Sequence, residues 1–164
     1  MNVVFLSLGS NVGNRRQTID AMFEALVYTL CGTVTRSRLL ETEPLEVDDT
    51  QEWYLNCVVT GGWNDTVHDL LDKCQSIENR LGRVRTHRHS ARTADIDILL
   101  FGNLVLCDSR LHIPHPGLAR RRFCLEGLAE LAPEFIIPGT DTRVQNYYTA
   151  ALPLLSGQRI REAE

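Results

Sequence analysis

The chain contains almost no lysine: of its 17 basic residues only Lys73 is a lysine, and the others are arginines. The formal net charge is −4, which argues against a global basic surface, so we expect no nucleic-acid partner. The five cysteines form no Cys-x-x-Cys pair and are odd in number. This pattern favours buried, reduced thiols in a cytoplasmic protein over a zinc site or a disulfide framework.

Long apolar runs are missing as well. No stretch approaches the ~18 residues that a membrane helix needs, and Val3 to Leu8 is typical of a first strand rather than of a signal peptide. We therefore expect no membrane association. The composition, with 43% hydrophobic and 23% charged residues in a chain of 164, is ordinary for a globular protein. We expect one domain that acts as a monomer.

Hydrophobic periodicity predicts the order strand, helix, strand, strand, helix, strand, which is the β-α-β-β-α-β arrangement of ferredoxin-like α+β folds. The two helices would cover one sheet face and leave the other free for a site built by loops. The predicted strands are 3–8, 34–40, 54–62 and 95–101, and the helices are 15–30 and 67–81. A short helix at 123–131, a hairpin in which 104–106 pairs back, and a weakly helical stretch at 147–155 follow. We assign 1–139 to the functional domain and 140–164 to a tail that packs on it or extends it.

The Asp95-Ile96-Asp97 segment carries the strongest chemical signal. On a strand, Asp95 and Asp97 share a face with Leu99 and Phe101, and their carboxylates lie roughly 7 Å apart along the chain. Paired carboxylates suit a hard divalent cation such as Mg²⁺. Arginines crowd the preceding residues, 80–92, and recur at 120–122, where guanidinium groups suit phosphate oxygens. The combination predicts a polyphosphate bound with magnesium, although surface charge or arginine pairing would also explain each cluster alone.

Tyr54 and Asn56 alternate along a predicted strand and so share a face. An aromatic ring beside an amide suits a flat heteroaromatic ring with hydrogen-bonding edges. Phe123 would supply a second stacking ring or belong to the core. His115, between two prolines, would pack or cap, or reach phosphate together with Arg121.

Several of these stretches resemble the 6-hydroxymethyl-7,8-dihydropterin pyrophosphokinase family of folate biosynthesis. The resemblance covers roughly residues 1–139, and the tail from Thr140 matches nothing that we can assign. The most specific block is the Arg-Thr-x-Asp-x-Asp-Ile-Leu motif at 92–99. The other matching stretches are Leu8-Gly9-Ser10-Asn11, Tyr54-Leu55-Asn56, Gly82-Arg83-Val84-Arg85, Ile113-Pro114-His115-Pro116, Arg121-Arg122-Phe123 and Leu131-Ala132-Pro133-Glu134.

The resemblance implies a ferredoxin-like enzyme that transfers pyrophosphate from ATP to the pterin hydroxymethyl group and releases AMP. Asp95 and Asp97 would hold two Mg²⁺ ions. The triphosphate would be bound by Arg83, Arg85, Arg92, His115 and Arg121, of which the first three would also be catalytic with the two aspartates. Gln75 and Glu78 would lie near the nucleotide or support the site, and Ile98, Arg110 and His112 would lie near the adenosine. The pterin would contact Tyr54, Phe123, Asn56 and the Thr42-Glu43-Pro44-Leu45 backbone.

One stretch departs from the family pattern. The family usually shows Arg-Trp-Gly-Pro-Arg before the acidic block, where this chain has Arg88-His89-Ser90-Ala91-Arg92. In the family the two polar loops, here 42–52 and 83–91, would close over the substrates and exclude water. The missing tryptophan leaves an alternative open: a weakly active or non-catalytic module of the same fold that binds nucleotide or pterin.

Overall fold

The computed structural model describes residues 1–44, 52–82 and 93–163. The calls on Leu45, Arg83, Arg85 and Arg92, and the loop departure at 88–92, lie outside these residues. The strands are β1 (Asn2–Ser10), β2 (Cys31–Arg36), β3 (Leu40–Thr42), β4 (Tyr54–Trp63), β5 (Asp95–Phe101), β6 (Leu106–Cys107), β7 (His112–Ile113) and β8 (Ile160–Glu162). The helices are α1 (Arg15–Val27), α2 (Val67–Arg80), α3 (Arg122–Leu131) and α4 (Val144–Leu155).

The main sheet has the order β5-β1-β4-β3-β8, with β2 also paired to β4, and its pairings are antiparallel. The predicted α+β class is confirmed. The single predicted second strand is divided into β2 and β3, and α1 ends at Val27 rather than at Leu30. At the start of α2, Thr66 and Asp69 form a capping box, which satisfies backbone N–H groups that the first helical turn leaves open.

The first core lies between the sheet and the pair α1 and α2. Alternate residues of β1 (Val4, Leu6 and Leu8) point into it, as the two-residue period of a strand requires. They meet Ile19, Met22 and Leu26 of α1 and Leu70, Cys74 and Ile77 of α2, all of them buried. The thiols of Cys57 and Cys74 are part of this core, and burial raises the pKa of each to about 12, so both stay protonated.

The opposite sheet face is not free, which corrects the expectation from the sequence. Its apolar residues, Phe5 and Val58 among them, pack against α3 and α4 in a second core with Cys124, Leu125, Leu128 and Val144. Gly127 allows the close approach of α3, because a Cβ there would lie 2.5 Å from Cγ2 of Val58. The apolar side chains on this face explain the cover: leaving them in water would cost about 25 cal/mol per Å². Only the polar end of the face remains for a site.

The alternation along β5 is interrupted, which corrects a second expectation. The pairing of β1 with β5 shifts between Phe5 and Leu6, where Leu100 is followed in register by Ile98. Leu99 and Leu100 therefore both enter the second core, and Phe101 enters the first. A bulge of this kind reverses the faces of the residues beyond it, so Phe101 does not share a face with Asp95 and Asp97.

The C-terminal residues return to the sheet. Strand β8 pairs with the edge strand β3, with Thr42 opposite Ile160 and Leu40 opposite Glu162. The predicted hairpin after β5 is wrong in its partner, because Leu106 of β6 pairs with Ile113 of β7 and not with β5. Across the described ranges, none of the helices is at once long and apolar enough to cross a membrane.

Candidate active site

Two rows of residues cross the sheet at its polar end. In the first row, Gly9 of β1 pairs with Asn56 of β4 on one side and with Asp95 of β5 on the other. In the second, Ser7 pairs with Asp97. Residues directly opposite in antiparallel strands point to the same face, so the amide and both carboxylates emerge beside a glycine and a serine. The small residues of β1 thus form the floor between them.

Gly9 leaves space for the amide of Asn56. A Cβ built on Gly9 would lie 2.9 Å from Oδ1 of Asn56, closer than real Cβ atoms approach. Asn56 is 3% exposed, and its Nδ2 donates a hydrogen bond of 2.8 Å to Oγ1 of Thr42. The amide is therefore held in one orientation, with its oxygen above Gly9.

A cavity of about 110 Å³ opens above this floor. It brings together six residues predicted for the site: Thr42, Tyr54, Asn56, Asp95, Arg121 and Phe123. It combines two aromatic rings, a fixed amide, a carboxylate and a guanidinium group. Such a lining binds a flat ring by its faces and by its polar edges while presenting charge at one end.

Two side chains from the segment between β7 and α3, a guanidinium and an imidazole, converge on Asp97. Nη1 of Arg121 donates to Oδ2 of Asp97 at 3.1 Å, and Nε2 of His115 lies 4.0 Å from the same oxygen. Nδ1 of His115 accepts a hydrogen bond of 2.9 Å from the Gly117 backbone N–H, so the proton of the neutral ring is on Nε2, facing Asp97. Burial lowers the pKa of His115, although the neighbouring carboxylate of Asp97 acts in the opposite direction. The lowered pKa keeps the ring neutral at pH 7.

The carboxylates fit a magnesium site that substrate completes. Asp95 is 9% exposed at the start of β5, and the Asp97 side chain is 25% exposed. Within residues 1–44, 52–82 and 93–163, no group of three His, Cys, Asp or Glu side chains is arranged to hold a metal. Mg²⁺ commonly uses one or two carboxylates together with water and substrate phosphates, and this pair supplies the carboxylate part of such a donor set.

Glu78 supports the two aspartates from beneath. It is 2% exposed, and its Oε1 accepts a hydrogen bond of 2.8 Å from the backbone N–H of Ile96, between Asp95 and Asp97. This contact ties α2 to the first residues of β5. The resemblance left two roles open for Glu78, and this contact favours support of the site, which stays a prediction.

Other predicted nucleotide residues lie outside this cavity. The side chain of Ile98 is buried in the first core and can face a nucleotide only through its backbone. Arg110 forms an ion pair with Asp72 of α2. His112 lies 3.6 Å from Sγ of the exposed Cys107, and Gln75 borders a separate shallow depression on α2.

The structure adds lining residues that sequence reasoning missed: Ser7, Arg122, Gln158, Arg159 and Ile160. Ser7 could have been found, because the alternation Phe5, Ser7, Gly9 along β1 places a small polar residue next to the glycine. The last three come from the C-terminal segment. Their place in the site depends on the pairing of β8 with β3, for which the sequence contains no local signal.

Comparison with known proteins identifies the family of this chain. A family model described as "7,8-dihydro-6-hydroxymethylpterin-pyrophosphokinase (HPPK)" matches residues 5–133. A protein of Methylorubrum extorquens named 2-amino-4-hydroxy-6-hydroxymethyldihydropteridine pyrophosphokinase is 39% identical over 144 residues, which are 87% of this chain and 90% of that protein. A Pseudomonas aeruginosa protein of the same name is 36% identical over 162 residues, 96% of each chain.

Solved structures share the fold. A crystal structure of HPPK-DHPS in complex with substrates superimposes with a TM-score of 0.74 at 14% identity, covering 94% of this chain. A Plasmodium falciparum HPPK-DHPS structure with pteroate gives a TM-score of 0.72 at 15% identity, also over 94% of this chain. The chain spans 44% and 43% of those two proteins, so the likeness concerns one part of each. From the family match and the relatives' identities together, the chain belongs to the 7,8-dihydro-6-hydroxymethylpterin-pyrophosphokinase family.

Proposed function

We propose that this protein transfers pyrophosphate from ATP to the hydroxymethyl group of 6-hydroxymethyl-7,8-dihydropterin in folate biosynthesis and releases AMP. The observation that carries the proposal is one cavity in which two rings and a fixed amide stand next to the Asp95 carboxylate, with Asp97 in the neighbouring row of the same sheet face. A bicyclic ring with polar edges fits the first part, and a metal-bound triphosphate fits the second.

In the pterin subsite, the bicyclic ring stacks between Tyr54 and Phe123. Oδ1 of Asn56 faces the cavity side of the sheet above Gly9 and accepts a hydrogen bond from a ring N–H or amino group. The Thr42–Leu45 backbone, including Pro44, contacts the remaining polar edges of the pterin ring. Because Thr42 already fixes the Asn56 amide, the ring meets a prearranged acceptor and loses less entropy on binding.

In the nucleotide subsite, Asp95 and Asp97 would hold two Mg²⁺ ions. When bound, such ions would supply positive charge that neutralises the ATP phosphates. Arg121 exchanges part of its contact with Asp97 for phosphate oxygens. His115, neutral and with its proton on Nε2, donates a hydrogen bond rather than a charge. We assign the remaining phosphate contacts to Arg83, Arg85 and Arg92.

Incubation of the protein with ATP, Mg²⁺ and the pterin tests the proposal. Phosphorus NMR should show AMP and a pterin diphosphate appearing in equal amounts. Omitting the pterin or chelating the Mg²⁺ should stop both. Formation of ADP would contradict pyrophosphate transfer, and ATP and pterin binding without turnover would favour the non-catalytic alternative.

We also propose that the protein acts as a cytoplasmic monomer without a nucleic-acid partner. The acidic net charge of −4 and its confined arginine clusters support this. Light scattering on the eluted protein should give the monomer mass of 18.5 kDa with and without substrates. A concentration-dependent dimer mass would contradict the monomer.

A further inference from the structure

The C-terminal wall, which we define as residues 158–160, closes one side of the cavity. Gln158, Arg159 and Ile160 all line it, although they lie beyond residue 133, where the family match ends. Ile160 opens β8, which pairs with β3 opposite Thr42. The wall therefore joins the pterin subsite from a part of the chain to which the family resemblance assigns no role.

Gln158 contacts the opposite side of the cavity through both ends of its amide. Nε2 donates to the carbonyl oxygen of Arg120 at 2.6 Å, and Oε1 accepts from the backbone N–H of Arg122 at 2.9 Å. These two bonds bracket Arg121. Arg121 is the N-cap of α3, and its own side chain makes no capping hydrogen bond within the part of the chain that the structure describes. Gln158 supplies that cap from 36 residues away, satisfying an N–H that the first helical turn leaves open.

Arg159 fastens the wall to the other side. Its backbone N–H and Nε donate to the two carboxylate oxygens of Glu43 at 3.0 and 2.6 Å, and the Glu43 N–H donates back to the Arg159 carbonyl at 3.2 Å. The hydrogen bonds from Arg159 lower the pKa of Glu43, so the carboxylate stays charged and the contact persists at neutral pH. Glu43 follows Thr42, the residue that holds the Asn56 amide. The wall thus spans the cavity from the Phe123 side to the Thr42 side.

The two sides depend on this wall to different degrees. The Arg121 guanidinium has a second support in Asp97, at 3.1 Å. The ring of Phe123 has no polar atom that could hold it, so its position follows the first turn of α3. Loss of the Gln158 contacts should therefore displace the ring more than the guanidinium, and should weaken pterin binding more than ATP binding.

We propose that Gln158 is a positioning residue for the pterin: it holds the start of α3 so that Phe123 faces Tyr54 at the spacing that the bicyclic ring needs. This inference rests on the proposed function. It assigns a role in the substrate site to the C-terminal segment, and it places specificity for the ring partly outside the region that the family match covers.

Steady-state kinetics of Gln158→Ala test the proposal. We expect KM for the pterin to rise about tenfold, with KM for ATP and kcat changing less than twofold. Gln158→Glu keeps an oxygen acceptor for the Arg122 N–H but loses the donor to Arg120, so its pterin KM should fall between those of wild type and Gln158→Ala. Gln145→Ala is the matched control, because Gln145 is an exposed glutamine on α4 whose amide bonds only weakly, at 3.4 Å, to Thr149. It should leave all three constants unchanged.

Thermal unfolding of each variant separates positioning from folding, with kinetics measured well below the lowest Tm. A pterin KM within twofold of wild type in Gln158→Ala would overturn the proposal, and so would equal rises in KM for both substrates, which would indicate general loosening. If the wild-type protein forms no AMP, the proposed function fails instead. Calorimetric titration of the same variants with the pterin would then still decide whether Gln158 positions the ring site.

Discussion

Replacing Gly9 with alanine places a methyl group too close to Oδ1 of Asn56. The new Cβ would be 2.9 Å from that oxygen, 3.9 Å from Cδ1 of Tyr54 and 4.0 Å from Cβ of Asp95. The oxygen would have to retreat by about 0.5 Å to reach ordinary contact at 3.4 Å. Asn56 is 3% exposed and bonded to Thr42 at 2.8 Å, so it can retreat only by stretching that bond.

The magnitude follows from crowding and from lost alignment. Overpacking of a tight interior costs about 1–3 kcal/mol in the free energy of unfolding. A displaced Asn56 amide would lose one or two hydrogen bonds to the pterin, each worth about 0.5–1.5 kcal/mol. At about 1 kcal/mol for each bond, and about 1.4 kcal/mol for each factor of ten, kcat/KM for the pterin should fall about 5- to 30-fold. Steady-state assays with the pterin varied at saturating ATP, together with urea denaturation, measure both effects.

Gly13→Ala is the control for this experiment. Gly13 has a φ of +66°, so an alanine there is strained, but in the described part of the chain no atom lies within 4 Å of the added Cβ. It should lower stability and leave KM for the pterin unchanged. If Gly9→Ala binds the pterin with wild-type affinity, or if Gly13→Ala loses affinity as well, the assignment of Asn56 as the ring-reading residue is wrong.

Three further changes probe the carboxylates and their supports. Asp97→Ala should abolish AMP formation. It should change the free energy of unfolding by less than about 1 kcal/mol, because the partly exposed ion pair of Asp97 with Arg121 contributes little stability. Turnover near the wild-type rate in this variant would refute the metal role of Asp97. Glu78→Ala leaves the Ile96 N–H without its acceptor, so the free energy of unfolding measured by urea denaturation should fall by about 1–3 kcal/mol. Glu78→Gln keeps an oxygen acceptor, so its free energy of unfolding should fall by less. Because the pKa of His115 is lowered on folding, the unfolded chain binds more protons there, and this contribution to stability is lost as pH falls below about 6.5. Wild type should therefore lose more stability between pH 7 and pH 5 than His115→Asn, and parallel pH profiles would contradict this.

The sequence predicted features that depend on neighbours along the chain. Asp95 and Asp97 share one face of β5, and Tyr54 and Asn56 share one face of β4, because side chains along a strand alternate with a period of two residues. The apolar spacing of α1 and α2 predicted their contact with one sheet face, and that contact is the first core. The cavity joins these pieces because β1 lies between β4 and β5.

Features that depend on remote pairing were not predictable in the same way. The bulge in β5 that turns Phe101 toward the first core arises from register against β1, and Leu99, Leu100 and Phe101 are all apolar, so their composition does not reveal it. Helical stretches at 123–131 and 147–155 were predicted, but their packing on the second sheet face was missed because it depends on contacts with residues far away in the chain.

The C-terminal wall is the part of the candidate site that local sequence patterns did not predict. Arg159 reaches Glu43 across 116 residues, and Gln158 reaches Arg122 across 36, so each contact exists only after the sheet has formed. A glutamine and an arginine near the end of a chain are ordinary surface residues in any local window. What gives them a role is the edge of β3, which presents unpaired backbone groups that β8 satisfies. If the proposed function holds, a different segment paired at this edge would change that wall of the cavity, while Gly9, Asn56 and Asp95 would stay in place.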